Sequence, residues 1–212
     1  MTSLRKIRAV IYDCDGVLFD SREANESYYN DILAYFGQPP LSEDQRRKIQ
    51  YLTAGEIMTL IFAKTGLLEQ ALDYEKSVSN DPYLPLIHEQ VHAKEALTRL
   101  KRSFVTGIVT NRGKSLRPLL DYHGFTPLFS MTVSSYDVSL PKPDPEGINM
   151  ILKRFQLLPV QSIYVGDSDI DRLLCDRAGV PFVAYRNNAL PASHHINDHI
   201  ELVNILEGQA SK

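Results

Sequence analysis

Ile7-Arg8-Ala9-Val10-Ile11-Tyr12-Asp13-Cys14-Asp15-Gly16-Val17 is a short apolar run that ends on two carboxylates and a glycine. Its β-branched and aromatic residues do not alternate strictly with polar ones. That pattern fits a strand buried on both faces, hence a parallel sheet. Four further runs of the same kind follow at Phe104–Val109, Leu128–Val133, Ser162–Val165 and Phe182–Tyr185. Crossover helices are predicted between the last four, over Lys114–His123, Pro145–Phe155 and Ile170–Ala178. At the second of these, Asp144-Pro145-Glu146 offers an N-cap carboxylate, proline at the first helical position and an acid in the first turn. The alternation predicts an α/β fold, a doubly wound parallel sheet.

The first and second runs lie about ninety residues apart, where a βαβ crossover needs about thirty. Within that gap Tyr28, Ile32, Tyr35 and Phe36 recur at helical spacing. Ile57, Leu60, Ile61, Lys64 and Leu68 do the same, with one charged interruption. Pro39-Pro40 and Asn80-Asp81-Pro82 mark breaks between helices. The expectation is a helical insert over residues 17–88 in a discontinuous core of residues 1–16 and 89–212.

Composition narrows the class. The 212 residues, 43% hydrophobic and 23% charged, suffice for a packed core. A formal net charge of −3 argues against a nucleic-acid partner, which needs a basic face. No apolar run approaches the ~20 residues of a bilayer span. Met1-Thr2-Ser3-Leu4-Arg5-Lys6 does not read as an export signal. Cys14 and Cys175 cannot build a disulfide framework and read as reduced thiols, so a cytoplasmic location is expected. Oligomeric state has no signature.

In an open α/β sheet, ligands bind beyond the carboxyl ends of the strands. Those ends carry Asp13-Cys14-Asp15-Gly16-Val17, then Thr110-Asn111-Arg112, then Pro141-Lys142-Pro143-Asp144-Pro145, then Gly166-Asp167-Ser168-Asp169-Ile170-Asp171. Carboxylates, a hydroxyl and an ammonium thus converge on one crevice, a set suited to phosphoryl transfer. Mg²⁺ takes oxygen ligands and needs only one or two carboxylates. A carboxylate can attack phosphorus to give an aspartyl-phosphate. Two carboxylates and a phosphate repel by several kcal/mol at ~4 Å in low dielectric, so Mg²⁺ and Lys142 would supply the compensation. Gly16 allows close backbone approach, and the amides after Asp13 and Thr110 could donate to phosphate oxygens. If the chain stays extended, Asp13 and Asp15 point the same way, one as nucleophile and the other as proton donor to the leaving oxygen.

These four motifs, in this order and spacing, resemble the haloacid dehalogenase superfamily of phosphatases over essentially the whole core. The insert matches in position the helical cap of the phosphoglycolate phosphatase and β-phosphoglucomutase-like branch. The resemblance implies a Rossmann-like core with an inserted α-helical cap domain. It also implies that Asp13 is the nucleophile and a Mg²⁺ ligand. Asp15 is then the general acid/base, with its backbone carbonyl also on the metal. Thr110 and the amide of Asn111 bind phosphoryl oxygens, and Lys142 steadies nucleophile and phosphate. Asp167 binds Mg²⁺, and Asp171 supports the metal site or Lys142. The implied partner is a small phosphorylated metabolite, of the phosphoglycolate or sugar phosphate type, with the insert closing over it.

Two alternatives share these residues. A sugar phosphomutase needs an acid–base group on the cap, and Asn25 stands where that branch carries a histidine; an amide cannot do that work. A non-catalytic phosphate-binding scaffold is the other. A receiver-type signalling domain needs about half this length and a phosphorylated Asp after the third strand, where Ser134-Ser135-Tyr136-Asp137 stands instead.

Other features carry plainer expectations. His195 and His199 have a spacing that could ligate Zn²⁺ on a helix, but no third ligand converges, so a solvated helix start is expected. Cys14 should point into the core, opposite its acidic neighbours. Arg46-Arg47-Lys48 and Arg22 could grip a second anionic group of the substrate, although a solvated helix face is the expectation for the run. Arg112 and Lys114 stand at the mouth, where they could attract anions. Tyr28, Tyr35 and Phe36 read as the core of the insert, with Tyr28 or Tyr29 a candidate to face the substrate alongside Asp20, Ser21 and Asn25.

Overall fold

The computed structural model describes residues 7–210. The reading of Met1-Thr2-Ser3-Leu4-Arg5-Lys6 lies outside those residues. In chain order the elements begin with β1 (Ala9–Tyr12), β2 (Phe19–Asp20) and the helices α1 (Arg22–Tyr35), α2 (Glu43–Lys48), α3 (Ala54–Phe62) and α4 (Leu68–Ser77). Then come β3 (His88–Glu89), α5 (Ala93–Leu100), β4 (Val105–Val109), α6 (Leu116–Tyr122) and β5 (Met131–Val133). The chain ends with α7 (Glu146–Phe155), β6 (Ser162–Gly166), α8 (Asp169–Ala178), β7 (Phe182–Tyr185), β8 (His194–Ile196) and α9 (His199–Ala210).

Six strands form one sheet in the order β5-β4-β1-β6-β7-β8, and every pairing in it is parallel. Counted along the chain, that is the 3-2-1-4-5-6 order of a doubly wound fold, in which the connections reverse direction between β1 and β6. In folds of this order, ligands bind beyond the carboxyl ends of the strands at that reversal. β2 and β3 form a separate two-stranded sheet. Both faces of the sheet are covered: β1, β6 and β7 are buried at every position. One packed cluster joins Ala9 and Ile11 of β1 to Ile148 and Ile151 of α7 and Leu174 of α8.

Several local expectations differ from what forms. The run Leu128–Val133 is a strand only from Met131, because Thr126–Leu128 turns as a 3₁₀ helix. β8 carried no legible signal: it is three residues long, and two of them are histidines. Pro145 is the N-cap of α7 rather than its first residue, although the Asp144 carboxylate still accepts the Glu146 N–H at 2.9 Å.

The chain divides into two compact units, Met1–Phe19 with Glu89–Lys212, and Asp20–His88. The first runs past Gly16 because Val17, Leu18 and Phe19 are fully buried within it. Leu18 O accepts from Gln90 N at 2.9 Å, and Val17 O from His199 Nε2 at 2.9 Å. The second unit is helical, with its own core of Tyr28, Tyr29, Ile32, Ile57, Met58 and Phe62 among others. Tyr35 departs from its expected place there. It is 65% exposed and stacks on Tyr74 with ring centroids 3.9 Å apart. Tyr28 is held by a hydrogen bond to Glu75 Oε1 at 2.8 Å. Arg47 and Lys48 lie on an exposed face of α2 in i,i+4 pairs with Glu43 and Asp44.

His199 is not at a solvated helix start. It is fully buried, donates from Nε2 to Val17 O and stacks on Tyr185 at 4.5 Å, while His195 sits in β8 and contacts Leu190 O. Burial pushes His199 down to about 4, against the pull of the Val17 carbonyl. The unfolded chain therefore takes up a proton near pH 6.5 that the folded chain refuses until about pH 4. The resulting stability is complete above pH 6.5 and lost as pH falls toward 4, on the order of 3 kcal/mol in all. Denaturant midpoints of wild type and His199→Gln, compared at neutral and acidic pH, check this. Wild type is expected to lose more on acidification, and equal losses would refute the assignment.

Candidate active site

The crevice at the ends of β1 and β6 collects the predicted residues. Asp13 follows β1 directly, and its Oδ1 accepts from Lys142 Nζ at 2.8 Å and from the Cys14 amide at 2.7 Å. That amide, expected to serve a phosphate, is taken by Asp13 itself. No hydrogen bond to Asp13 Oδ2 is seen among the described residues, so the carboxylate has one anchored oxygen and one available oxygen. The chain is not extended past Asp13. The amides of Leu18 and Phe19 both turn back onto Cys14 O, and Gly16 N donates to Phe19 O. Gly16 has φ +80, and a Cβ there would collide with the Asp167 carboxylate, so the left-handed turn and the close approach both require glycine.

This turn sends the two acids of Asp-x-Asp to different cations, contrary to the extended reading. Asp15 is gripped by Arg112, with Nη2 to Oδ1 at 2.5 Å and Nε to Oδ2 at 3.1 Å. Arg112 Nη1 also donates to Ser115 Oγ at 2.9 Å. Arg112 is thus an internal partner of Asp15 rather than an exposed anion trap. Cys14 between them is fully buried, and burial pushes its thiol well above its ordinary range, which makes it an inert neighbour.

Lys142 has all three N–H groups occupied: Asp13 Oδ1 at 2.8 Å, Asp171 Oδ1 at 2.7 Å and Tyr164 Oη at 3.2 Å. Burial opposes its charge, but the two carboxylates outweigh burial and raise it. Asn111 clasps the Lys142 backbone from both sides. Its Oδ1 accepts from Lys142 N at 2.9 Å, and its Nδ2 donates to Lys142 O at 3.2 Å. Thr110 is buried, its Oγ1 accepting from Arg112 N at 3.1 Å.

Asp171 is wholly engaged. Besides Lys142 and Tyr164 on Oδ1, its Oδ2 accepts from Ser168 Oγ at 2.7 Å and from the Ser168 and Asp167 amides. Ser168 returns the favour by capping α8 through Asp171 N. Asp167 is the opposite case. Its Oδ1 is buried without a hydrogen-bond partner, while Asn187 Nδ2 holds its backbone carbonyl at 2.8 Å.

Asp13, Asp167 and Asp171 bring one oxygen each within 4.8 Å of one another. Three carboxylates thus face one ammonium, and one of their buried oxygens, Asp167 Oδ1, has no hydrogen-bond partner. Burial, followed by the Asp171 charge, pushes Asp13 up to about 7 despite Lys142. Burial, then Asp13 and Asp171, pushes Asp167 up to about 8. A hard divalent cation fits this donor set, with Asp13 and Asp167 as the acids able to hold it and Asp171 saturated by its five hydrogen bonds.

The roles of Arg112, Tyr164, Asn187 and the Asn111 side chain were not read from the sequence. The Ser168-x-x-Asp171 capping pattern was legible there in principle. Tyr164 had no signal, because a tyrosine in a buried strand reads as core.

A family model described as haloacid dehalogenase-like hydrolase matches residues 10–185. The chain is similar to the phosphoglycolate phosphatase of Rhodobacter capsulatus, 28% identical over 221 residues that cover 94% of this chain and 97% of that protein. Among solved structures it is similar to a HAD-superfamily hydrolase, subfamily IA, variant 1, from Geobacter sulfurreducens PCA. The identity there is 37% and the TM-score 0.78, over 95% of this chain and 97% of that one. The fold is shared with CbbY from Rhodobacter sphaeroides, solved in complex with phosphate, at a TM-score of 0.76 and 15% identity over 92% and 96% of the two chains. Among the described residues no helix is long and apolar enough to cross a membrane.

Proposed function

The chain belongs to the haloacid dehalogenase-like hydrolases, and on that premise we propose that it is a Mg²⁺-dependent phosphatase acting on a small phosphate monoester through an aspartyl-phosphate on Asp13. The observation that carries this reading is the asymmetry of the Asp13 carboxylate: Oδ1 is pinned by Lys142 and Cys14, and Oδ2 is left for chemistry. The available oxygen attacks phosphorus, and the bond from phosphorus to the leaving oxygen breaks. In its protonated form, released from the Arg112 pair, Asp15 gives that oxygen its proton, then takes one from the water that attacks the aspartyl-phosphate. Inorganic phosphate leaves and Asp13 is regenerated. Thr110 and the amide of Asn111 bind the phosphoryl oxygens, with Gly16 giving the backbone room to approach. Lys142 compensates the charge that develops on the transferring group. Mg²⁺, held by Asp13, Asp167 and the Asp15 carbonyl, would let an anionic phosphate approach ionised carboxylates.

The unit Met1–Phe19 with Glu89–Lys212 is taken as the core, three residues beyond the expected boundary at residue 16, with Asp20–His88 as the cap that selects the substrate. Phosphoglycolate, the substrate in the R. capsulatus relative's name, and sugar phosphates head the candidates. The amide of Asn25, hydrogen-bonded to Gln50 Oε1 at 3.3 Å, offers no acid–base group for a mutase. The test is a panel of phosphorylated metabolites assayed with and without Mg²⁺. Metal-dependent release of phosphate from a small monoester is expected, and absence of turnover on every member would overturn the reading in favour of a phosphate-binding scaffold.

The metal leaves a signature independent of turnover. Asp13 and Asp167 have folded values of about 7 and 8 against an ordinary 3.8, so the metal-free folded state carries more protons than the unfolded one between those limits. Their contribution to metal-free stability therefore falls as pH rises from about 4 to 8. Mg²⁺ restores it, so the rise in melting temperature on adding Mg²⁺ is expected to be larger at pH 8 than at pH 6. Scanning fluorimetry at the two pH values checks this. An equal or reversed increment would remove Asp13 and Asp167 from the metal site.

A further inference from the structure

We propose that Tyr164 is a positioning residue for phosphoryl transfer, its hydroxyl acting as the hub that aims the Lys142 ammonium at Asp13. The proposal rests on the phosphatase reading above. Tyr164 lies in β6 and is fully buried. Its Oη is 2.8 Å from Val109 O, 3.1 Å from Asp171 Oδ1 and 3.2 Å from Lys142 Nζ. A phenol has one proton and two lone pairs. The proton is directed to the carbonyl and carboxylate oxygens, which leaves a lone pair for Lys142. One atom thereby ties the end of β4, immediately before Thr110, to the ammonium and to α8.

The consequence lies in counting. Lys142 has three N–H groups and three acceptors, two of them carboxylates and the third this hydroxyl. With the third N–H fixed, rotation about the terminal C–N bond is locked and one N–H is directed at Asp13 Oδ1. Without it, the ammonium keeps its two ionic partners but has a proton with nothing to bond in a dry site. It is then free to rotate and shift between the two carboxylates. Binding of the ground state, which depends on total charge, is little affected. Stabilisation of the transferring phosphoryl group depends on direction and is lost.

Tyr164→Phe removes the hydroxyl alone. Its kcat is expected to fall about tenfold, with KM changed less than twofold. Inhibition by vanadate, which mimics the five-coordinate phosphorus, is expected to weaken in parallel, while inhibition by inorganic phosphate holds. A merely structural role would lower the melting temperature without separating vanadate from phosphate. Two further variants guard against a packing artefact. 4-Methylphenylalanine at this position fills the space without a lone pair and is expected to behave like Phe. 4-Aminophenylalanine restores both donor and lone pair and is expected to recover most of the rate. An unchanged kcat, equal weakening of vanadate and phosphate, or the same loss in all three variants would overturn the proposal. Asp13→Asn, run alongside, separates the two levels. If it is inactive while the Tyr164 series is flat, only this inference fails; if it keeps turnover, the phosphatase mechanism itself fails.

Discussion

Asp13→Asn is expected to lower turnover of p-nitrophenyl phosphate by roughly 10⁴-fold or more while leaving the protein folded. An amide matches the carboxylate in shape but is a poor nucleophile, so the phosphoryl acceptor is lost and its surroundings stay. Lys142 still has Asp171 and Tyr164 as partners. The stability change goes the other way. Burial and the Asp171 charge raise Asp13 to about 7, so at pH 8 the folded state holds it ionised at a cost that a neutral amide does not bear. The metal-free variant is therefore expected to melt no lower than wild type at pH 8, and higher if anything. An inactive but stabilised protein is the signature of an acid kept for chemistry rather than for folding. Retained turnover, or inactivity that merely follows unfolding in circular dichroism, would defeat the assignment. Asp15→Asn is a milder change, slowing transfer by about 10²–10⁴-fold, because protonation of the leaving oxygen is assistance rather than the bond-making itself. Its effect should be smaller on p-nitrophenyl phosphate, whose leaving group needs little protonation, than on an alkyl phosphate. Mg²⁺ affinity should stay largely intact, since on the proposed reading Asp15 would meet the metal through its backbone carbonyl.

What the sequence revealed depends on how locally each feature is encoded. The parallel sheet was legible because residues buried on both faces must be apolar throughout, as in Ala9–Tyr12 and Ser162–Gly166. The strand-end acids were legible because nothing apolar disguises them. β8 was hidden because a three-residue edge strand bearing His194 and His195 has neither the length nor the composition of a core strand. The Asp15–Arg112 pair spans 97 positions, and His199 reaches Val17 across 182, so no pattern of neighbours encodes either contact. The extended reading of Asp13-Cys14-Asp15 failed for a specific reason. The turn is imposed by Gly16 and closed by backbone bonds onto Cys14 O, a geometry that overrides the two-residue alternation of a strand. A histidine beside Asp198 near the chain end reads as solvated, yet the His199 ring fills the space beside Tyr185.

Lys142→Met is the substitution expected to cost most in stability, about 3–5 kcal/mol at pH 8 without metal, and to abolish turnover as well. The methionine fills the volume but leaves the Asp13 and Asp171 carboxylates, 9% and 0% exposed, facing one another without the ammonium between them. Asp171 keeps its hydrogen bonds from Ser168 and the Asp167 amide, so the unsupported charge falls mainly on Asp13. Lys142 is a group that holds Asp13 down against burial, so its removal raises Asp13 further above the ordinary 3.8 and favours its neutral form. The sign follows. The variant takes up a proton on folding at neutral pH, and its stability climbs as pH falls from 8 toward 5 more steeply than that of wild type. Chemical denaturation at the two pH values measures that slope directly. Adding Asp171→Asn to Lys142→Met should recover part of the lost stability, because one of the two facing charges is gone. It should recover no activity, because Asp13 then has no cation to direct its anchored oxygen. Coupling of this kind, positive in stability and absent in catalysis, separates a lysine that neutralises from one that also aims. A single variant as stable as wild type at pH 8 would show that the two acids do not depend on Lys142 for their charge balance.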